Sequence, residues 1–210
     1  MKPYIIGIAG GSGSGKTTLA DRLCGHFGTR IARIAYDNYY RAQDDIPLCE
    51  RQKTNYDHPE ALETELLISH LDALVRGECA ELPTYDFANH TRARKTEILS
   101  PRPIILVEGI LLFCDTALRD RLGLRIFVDT DADIRLARRI RRDVEERGRT
   151  LSSVLLQYEQ SVKPMHEAFV EPSKRHAHII VPEGGNNECA YRAIAHAIEA
   201  ILTQIEKEHT

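Results

Sequence analysis

The stretch Gly10-Gly11-Ser12-Gly13-Ser14-Gly15-Lys16-Thr17 decides the fold of this 210-residue chain. It matches the pattern G-x-x-x-x-G-K-[ST], in which a strand ends in a glycine-rich loop and a helix begins. The flanking sequence supplies both elements, since an apolar run at 4–9 precedes the loop and a helical pattern at 18–27 follows it. A full eight-residue match in this context predicts a phosphate-binding loop, and the alternative is a flexible glycine turn before a helix.

Each part of this loop suits a nucleoside triphosphate. The glycines let backbone N–H groups close around an anion, and the N-terminus of the following helix adds a favourable field. We expect Lys16 to reach the β- and γ-phosphates and the hydroxyl of Thr17 to bind Mg²⁺. Thr18 continues the loop into the helix, so the predicted nucleotide-binding residues run from Gly10 to Thr18.

Composition and charge exclude several other classes of protein. Hydrophobic residues make up 42% of the chain and charged residues 28%, which rules out a disordered or collagen-like chain. The net charge of −3 argues against a protein that coats nucleic acid. No apolar run approaches the length of a membrane span, and the glycine loop comes too early for a signal peptide. The five cysteines are widely spaced and odd in number, which predicts reduced thiols in a cytoplasmic protein.

Short apolar runs alternate with amphipathic segments along the chain. The apolar runs lie at 4–9, 31–35, 104–107, 124–128 and 178–181. Helical periodicity is clearest at 59–76 and 190–205. This alternation is typical of a parallel sheet between helices, so we predict one α/β domain with five parallel strands over residues 1–210. Residues 81–100 interrupt the alternation and are interpreted as an inserted β-hairpin, either inert or forming a wall of a substrate site.

Two acidic residues at strand ends bear on where the γ-phosphate would go. The run at 104–107 ends in Glu108-Gly109, a single carboxylate that suits an outer ligand of Mg²⁺ in a small-molecule kinase. The Asn-Lys-x-Asp motif of GTP-hydrolysing switches is absent from the sequence. Asp37 follows the second apolar run and is expected at the same rim of the sheet as the phosphate loop. A carboxylate there can accept the proton of an attacking hydroxyl or help to hold Mg²⁺, and the alternative is a helix cap.

A stripe of arginines occupies residues 135–160, which we interpret as an Arg-rich lid. The spacing i, i+3, i+4, i+7 places four of them on one helix face: Arg135, Arg138, Arg139 and Arg142. Arg147 and Arg149 flank Gly148, where the helix is expected to end. The choice of arginine over lysine favours bidentate contacts with phosphate, and the alternative is a solvated face with salt bridges. Apolar residues on the opposite side are expected to form the core face of the helix: Leu136, Ala137, Ile140 and Val144.

These features together resemble the uridine kinase (uridine–cytidine kinase) family of P-loop nucleoside kinases. Besides the loop, the stretches that carry the resemblance are Asp37-Asn38-Tyr39-Tyr40, Asn55-Tyr56-Asp57-His58-Pro59, Tyr85-Asp86-Phe87 with His90-Thr91-Arg92, Val107-Glu108-Gly109, residues 138–148, Gln157-Tyr158 and Glu171-Pro172-Ser173-Lys174. This ordered set covers nearly the whole chain and is far more specific than a phosphate loop alone. The chain departs from the family at 18–36, which is several residues shorter than the resemblance leads us to expect.

The resemblance implies the residues of the phosphoryl-transfer machinery. Asp37 is implied as the base for the ribose 5′-hydroxyl. Lys16 and the lid arginines Arg142 and Arg147 are implied in contact with the triphosphate. The residues implied around Mg²⁺ are Thr17, Asp37 and Glu108. Asn186 is implied in contact with the base of the nucleotide.

The resemblance also implies the residues that bind the nucleoside. They are Tyr56, Asp57, Tyr85, His90, Arg139, Arg149 and Gln157. For each of them a structural role is the alternative. Asp57, for example, is positioned to cap a helix that begins near Pro59.

The implied activity is transfer of the γ-phosphoryl group of ATP or GTP to the 5′-hydroxyl of uridine or cytidine, giving UMP or CMP in pyrimidine salvage. The implied partners are small molecules, with no nucleic acid and no membrane, and the protein is expected to be a homo-oligomer, a tetramer. Two alternatives stay open: a P-loop kinase for pantothenate or ribulose 5-phosphate, and a nucleotide-binding regulatory module without transfer activity. The aromatic residue and acid of Tyr85-Asp86 disfavour a phosphorylated acceptor, while intact Lys16 and Asp37 argue against the regulatory module.

Overall fold

A five-stranded parallel sheet forms the centre of the molecule. The computed structural model describes residues 2–208. Its strands are β1 (Tyr4–Ala9), β2 (Ile31–Ala35), β3 (Ala80–Asp86), β4 (Thr91–Leu99), β5 (Ile104–Gly109), β6 (Leu124–Val128) and β7 (Ile179–Val181). The central sheet has the order β2-β5-β1-β6-β7, and all its pairs are parallel. The predicted α/β class is confirmed, because each of the five apolar runs becomes a strand of this sheet.

Helices connect and cover these strands. They are α1 (Lys16–Phe27), α2 (Leu48–Arg51), α3 (Thr64–Val75), α4 (Thr116–Arg119), α5 (Ala132–Glu145), α6 (Leu151–Gln157), α7 (Lys163–Met165), α8 (Glu171–Ser173) and α9 (Glu188–Lys207). Short 3₁₀ turns add Gly28–Arg30, Tyr36–Tyr39, Pro59–Ala61 and Lys174–His176. Over residues 2–208, no helix combines the length and apolar character needed to cross a membrane.

The sheet is buried on both faces. Ile6 and Ile8 of β1 point to one side, where they pack with Leu19 and Leu23 of α1 and with Ile194 of α9. Alternate residues of the same strands point to the other side and pack against α3 and the hairpin. Burial on both faces explains why these strands are continuous apolar runs in the sequence.

The phosphate loop leaves β1 at the carboxyl end of the sheet. Gly13 and Gly15 adopt positive φ angles of 82° and 95°. A Cβ at Gly13 would lie 2.5 Å from the Arg135 carbonyl oxygen, and one at Gly15 would lie 2.7 Å from the Gly185 nitrogen. Both glycines are therefore required by backbone conformation and by space. Helix α1 begins without a side-chain cap, which leaves N–H groups of its first turn available to an anion.

The inserted hairpin is confirmed as the antiparallel pair β3–β4, separate from the central sheet. The pairing shifts register between Pro83 and Tyr85. Pro83 has no N–H to give to a ladder, so a proline within a strand is expected beside such an irregularity. His90 at the tip has a positive φ of 51°. Within β3, Tyr85 packs against Tyr40 at 5.3 Å between ring centroids.

The predicted core face of the lid helix α5 is wrong. Its buried residues are Arg135, Arg139 and Asp143. On the opposite side, Val144 and Ala137 are exposed, while Leu136 and Ile140 are half-buried. The helix turns its arginines inward because the phosphate loop supplies acceptors, and Arg139 Nη1 donates to Ser12 Oγ at 2.9 Å. A buried carboxylate on the same face partly offsets their charge.

Two widened turns interrupt the helical stretch after α6. The π-helical segments Tyr158–Val162 and His166–Val170 each precede a short helical piece that carries a proline, Pro164 and Pro172 respectively. A proline ring in a regular α-helix would clash with the carbonyl four residues earlier and would remove a hydrogen bond. The π turns accommodate both effects. Gln157 ends α6 directly before the first widened turn, and its Oε1 accepts a hydrogen bond from Arg139 Nη2.

Candidate active site

One cavity of about 840 Å³ lies between the phosphate loop, the hairpin and the lid. Most of the predicted site residues line it: Ser12, Lys16, Asp37, Tyr56, Asp57, Tyr85, His90, Arg139, Arg142, Arg147, Arg149 and Gln157. The shortened segment at 18–36 therefore does not remove Asp37 from the phosphate loop. The cavity joins a phosphate-binding end to an aromatic end.

The remaining predicted residues lie around the phosphate loop, outside the cavity lining. Thr17 Oγ1 donates to Glu108 Oε2 at 2.9 Å. Thr18 lies in the first turn of α1, beside Gly185. Asn186 is exposed and follows Gly185, where an added Cβ would lie 2.2 Å from the Gly15 carbonyl oxygen. Asn186 thus lies next to the loop but apart from the residues predicted to bind the nucleoside.

Asp37 lines the cavity close enough to Lys16 of the phosphate loop to feel its charge. Burial raises its pKa above the ordinary aspartate value, and the positive charge of Lys16 opposes this rise. It makes no hydrogen bond to any residue in the described part of the chain, and the 3₁₀ turn that contains it has no side-chain cap. The helix-cap alternative is therefore not supported. A half-buried carboxylate without a partner is suited to accept a proton from a hydroxyl group in the cavity.

Asp57 and Arg139 form the middle of the cavity. Both are buried, at 9% and 7% exposure. Burial raises the pKa of Asp57, and the Arg139 guanidinium opposes this rise. Arg139 Nη2 donates to Gln157 Oε1 at 2.9 Å, and Arg149 Nη1 donates to the same oxygen at 2.5 Å. The turn at Pro59–Ala61 is capped by His58 rather than by Asp57, so the capping alternative for Asp57 is wrong.

The aromatic end of the cavity is a slot of stacked and edge-on rings. Tyr56 stacks on His90 with ring centroids 5.3 Å apart and an interplanar angle of 28°. Tyr40 meets both Tyr56 and Tyr85 edge-on, at 5.2 and 5.3 Å. Burial lowers the pKa of His90, which favours the neutral imidazole near pH 7. The Tyr85 hydroxyl is buried and has no hydrogen-bond partner among residues 2–208, so a polar ligand atom is a natural partner for it.

Gln43 supports this slot and was missed by the sequence analysis. Its side chain is buried, and Nε2 donates to the Tyr56 hydroxyl at 2.6 Å and to the His90 carbonyl at 3.4 Å. Its Oε1 accepts from Thr54 Oγ1 at 2.8 Å, and its backbone N–H donates to Thr91 Oγ1 at 3.0 Å. One glutamine therefore ties a loop to the hairpin tip. An isolated glutamine outside any motif carries no signal of this in the sequence.

We expect Gln43→Leu to raise KM for the nucleoside by about 3- to 10-fold, because the Tyr56 hydroxyl and Thr54 lose a buried partner. KM for the nucleotide should stay unchanged, since Gln43 does not touch the phosphate loop. Gln204→Leu, at an exposed position on α9, is the control. Steady-state kinetics with each substrate varied in turn provide the measurement, and an equal rise in both KM values would contradict a local role.

The oxygen atoms near the phosphate loop fit a magnesium ion. Thr17, Asp37 and Glu108 offer one hydroxyl and two carboxylates at one rim of the sheet, and Mg²⁺ prefers such ligands together with substrate phosphates. Arg33 of β2 is ion-paired with Glu108, a contact that the sequence analysis missed. In residues 2–208, no cluster of three or more histidine, cysteine, aspartate or glutamate residues could hold a metal by itself. These residues would therefore need further oxygen ligands, such as phosphate or water, to complete the coordination of Mg²⁺.

Residues 5–190 match the model of the phosphoribulokinase / uridine kinase family. The chain belongs to this family. Among its relatives within the family, the uridine kinase of Chloroflexus aurantiacus is 52% identical over 201 residues, covering 95% of this chain and 96% of that protein. The uridine kinase of Leuconostoc citreum is 50% identical over 207 residues, covering 97% of this chain and 99% of that protein.

A solved structure of this family shares the fold at much lower identity. Phosphoribulokinase from Rhodobacter spheroides superposes with a TM-score of 0.64 at 16% sequence identity, covering 86% of this chain and 70% of that chain. The fold is that of P-loop kinases, as predicted. The two chains thus share the fold although they differ widely in sequence.

Proposed function

We propose that this protein is a uridine–cytidine kinase, which transfers the γ-phosphoryl group of ATP or GTP to the 5′-hydroxyl of uridine or cytidine and yields UMP or CMP. The observation that carries the proposal is the cavity itself. It connects Lys16 of the phosphate loop to an aromatic slot around Tyr56 and Tyr85, with Asp37 and Asp57 between them. Full-length relatives at 50–52% identity that are named uridine kinases support the same choice.

In the proposed reaction, the 5′-oxygen attacks the γ-phosphorus while the bond to the β–γ bridging oxygen breaks. Asp37 accepts the 5′-hydroxyl proton, and the leaving nucleoside diphosphate carries the bridging oxygen away. Lys16, Arg142 and Arg147 offset the charge of the phosphates as it shifts during transfer. Thr17, Asp37 and Glu108 would hold Mg²⁺, which supplies neutralisation of phosphate charge when bound.

The nucleoside would occupy the rest of the cavity. Tyr56 packs by the pyrimidine ring, while Tyr85, His90 and Arg149 contact its polar edge. The ribose hydroxyls face the residues in the middle of the cavity: Asp57, Arg139 and Gln157. The nucleotide lies over the phosphate loop from Gly10 to Thr18, with its base near Asn186. The unpartnered hydroxyl of Tyr85 supports a polar ligand at the aromatic end.

The proposal extends to the organisation of the whole chain. Residues 1–210 would act as one kinase domain, with the hairpin at 81–100 as the nucleoside wall and residues 135–160 as the lid. The five cysteines are free thiols, which supports a reducing compartment such as the cytoplasm. The family resemblance favours a homotetramer that acts on small molecules. Light scattering of the purified protein measures the assembly, and a monomer would overturn this part.

Release of ADP with a panel of acceptors tests the activity. We expect turnover with uridine and cytidine and none with pantothenate or ribulose 5-phosphate. Turnover with pantothenate or ribulose 5-phosphate, and none with uridine or cytidine, would show that the acceptor is another hydroxylated compound. Binding of ATP without turnover of any acceptor would instead favour a regulatory module.

Replacing Arg142 with alanine is expected to lower kcat/KM for the nucleotide by about 10- to 100-fold, because a cation facing the transferring phosphoryl group is lost. Arg141→Ala is the matched control, since Arg141 is the exposed neighbour on the same helix. Initial rates at varied ATP and saturating uridine decide the comparison. Equal effects of the two substitutions would show that the arginine stripe only stabilises the helix.

A further inference from the structure

A single buried carboxylate lies beneath the arginines of the lid. Asp143, in the last turn of α5, is completely buried. Its oxygens lie 3.6 Å from Arg139 Nε, 2.8 Å from Arg142 Nη2, 3.4 Å from Arg147 Nη1 and 3.6 Å from Arg149 Nη1. One negative charge is therefore shared among four positive charges at the wall of the cavity.

The four arginines depend on this carboxylate to different degrees. Arg139 and Arg149 also donate to Gln157 Oε1, so they have a second anchor. Arg142 donates from Nε to Asp143 Oδ1 at 2.8 Å, in addition to its Nη2 contact. For the side chains of Arg142 and Arg147, Asp143 is the sole hydrogen-bond or ion-pair partner in the described part of the chain. The guanidinium of Arg147 otherwise only lies over the Phe87 ring, at 5.6 Å.

The arrangement has an electrostatic cost that Asp143 reduces. Burial lowers the pKa of Arg147, the nearby Arg142 lowers it further, and Asp143 opposes both effects. Without this carboxylate, like charges would separate the side chains, and each released arginine would regain rotamer entropy. The buried carboxylate thus offsets part of the repulsion among the four converged arginines.

We propose that Asp143 is a positioning residue that holds Arg142 and Arg147 in place for a triphosphate before the nucleotide binds. The inference rests on the proposed function, in which these two arginines serve the nucleotide. Asp143 touches no substrate and acts through the arginines. It has less influence on the nucleoside side, because Arg139 and Arg149 keep Gln157.

Asp143→Asn removes the charge and preserves the shape of the side chain. We expect kcat to fall by about 10- to 100-fold through misplacement of the arginines, while KM for uridine changes by less than about threefold. Affinity for inorganic triphosphate, measured by calorimetry, should fall by about tenfold or more. Glu145→Gln, which neutralises an exposed acid two residues away, should change none of these values. Binding of inorganic triphosphate is independent of the acceptor, so this result separates the inference from the proposed function.

A purely electrostatic effect predicts the opposite change. Neutralising Asp143 makes the lid more positive, so unchanged or tighter triphosphate binding would overturn the positioning role. Arginine Nε–H exchange, followed by NMR in the wild-type protein without ligand, needs no variant at Asp143. The Arg142 Nε–H should be protected from exchange relative to that of exposed Arg141, with Arg142→Lys and Arg141→Lys used for assignment. Equal exchange rates at the two sites would refute the inference even if Asp143→Asn fails to fold.

Discussion

Replacing Asp37 with asparagine is expected to lower kcat by about 10²–10⁴-fold, while the affinity for uridine changes by only a few-fold. Asparagine preserves the shape of the side chain but cannot accept the 5′-hydroxyl proton. Asp45→Asn, at an exposed position in the following loop, is the control for a change of charge. Stopped-flow or steady-state rates of ADP release at saturating substrates provide the measurement. Near wild-type kcat in Asp37→Asn would remove this residue from the mechanism.

The pH dependence of the wild-type rate provides a second test of Asp37 as the base. Asp37 must be ionised to act as a base, and burial raises its pKa above the ordinary value. The rate should therefore fall on acidification, with a midpoint above that of an exposed aspartate. The fall in rate on acidification should disappear in Asp37→Asn and should remain in Asp45→Asn. If Asp37→Asn shows the same fall in rate on acidification, the titrating group is a residue other than Asp37.

Deoxyuridine is expected to be phosphorylated at least about 100-fold less efficiently than uridine in kcat/KM, because the sugar site contains buried charged groups. In the proposed sugar site, a missing 2′-hydroxyl removes a hydrogen-bond partner from Asp57, which is more than nine-tenths buried beside equally buried Arg139. Asp57→Ala removes one of these groups and should narrow the gap between the two nucleosides. Glu60→Ala, at an exposed acid three residues away, should leave the gap unchanged.

The comparison uses kcat/KM for both nucleosides with all three proteins. Equal use of uridine and deoxyuridine by the wild type would show that Asp57 and Arg139 do not bind the ribose diol. A lower rate for both nucleosides in Asp57→Ala, with the ratio unchanged, would point to a structural role for Asp57. Only a reduced ratio supports direct recognition of the sugar.

The central sheet was predictable because its strands are buried on both faces. Continuous apolar runs bounded by polar residues define β1, β2 and β6 with the same limits in sequence and structure. The phosphate loop followed from a local motif and the hairpin from a break in the strand–helix alternation, whereas the residues expected to bind the nucleoside came from the family resemblance. The orientation of α5 could not be predicted in this way. Helical periodicity separates an apolar face from a charged face, but it does not show which of the two is buried. Here the phosphate loop and Asp143 make the charged face the inner one.

Other features depend on contacts between distant parts of the chain. Gln43 becomes important only when the hairpin brings Thr91 and His90 next to it, about fifty residues further along the chain. Arg33 is recognisable only once β2 and β5 are paired, because its partner Glu108 belongs to the other strand. The π turns before Pro164 and Pro172 are defined by their backbone hydrogen bonds. The periodicity of the side chains does not predict this bonding pattern. Local sequence patterns predict helices and strands, whereas contacts such as these form only when the fold brings distant residues together.

The separation of the hairpin from the central sheet bears on how this family diversifies. The phosphate loop and Glu108 are built on strands of the central sheet, while Tyr85 and His90 belong to a two-stranded unit that pairs with none of those strands. Insertions or substitutions in β3 and β4 can reshape the acceptor end without disturbing the register that holds the phosphate loop. In the proposed function, substitutions in β3 and β4 would therefore change acceptor binding more than phosphoryl transfer. Exchanging residues 80–99 between relatives offers a direct route to engineered kinases with new acceptors.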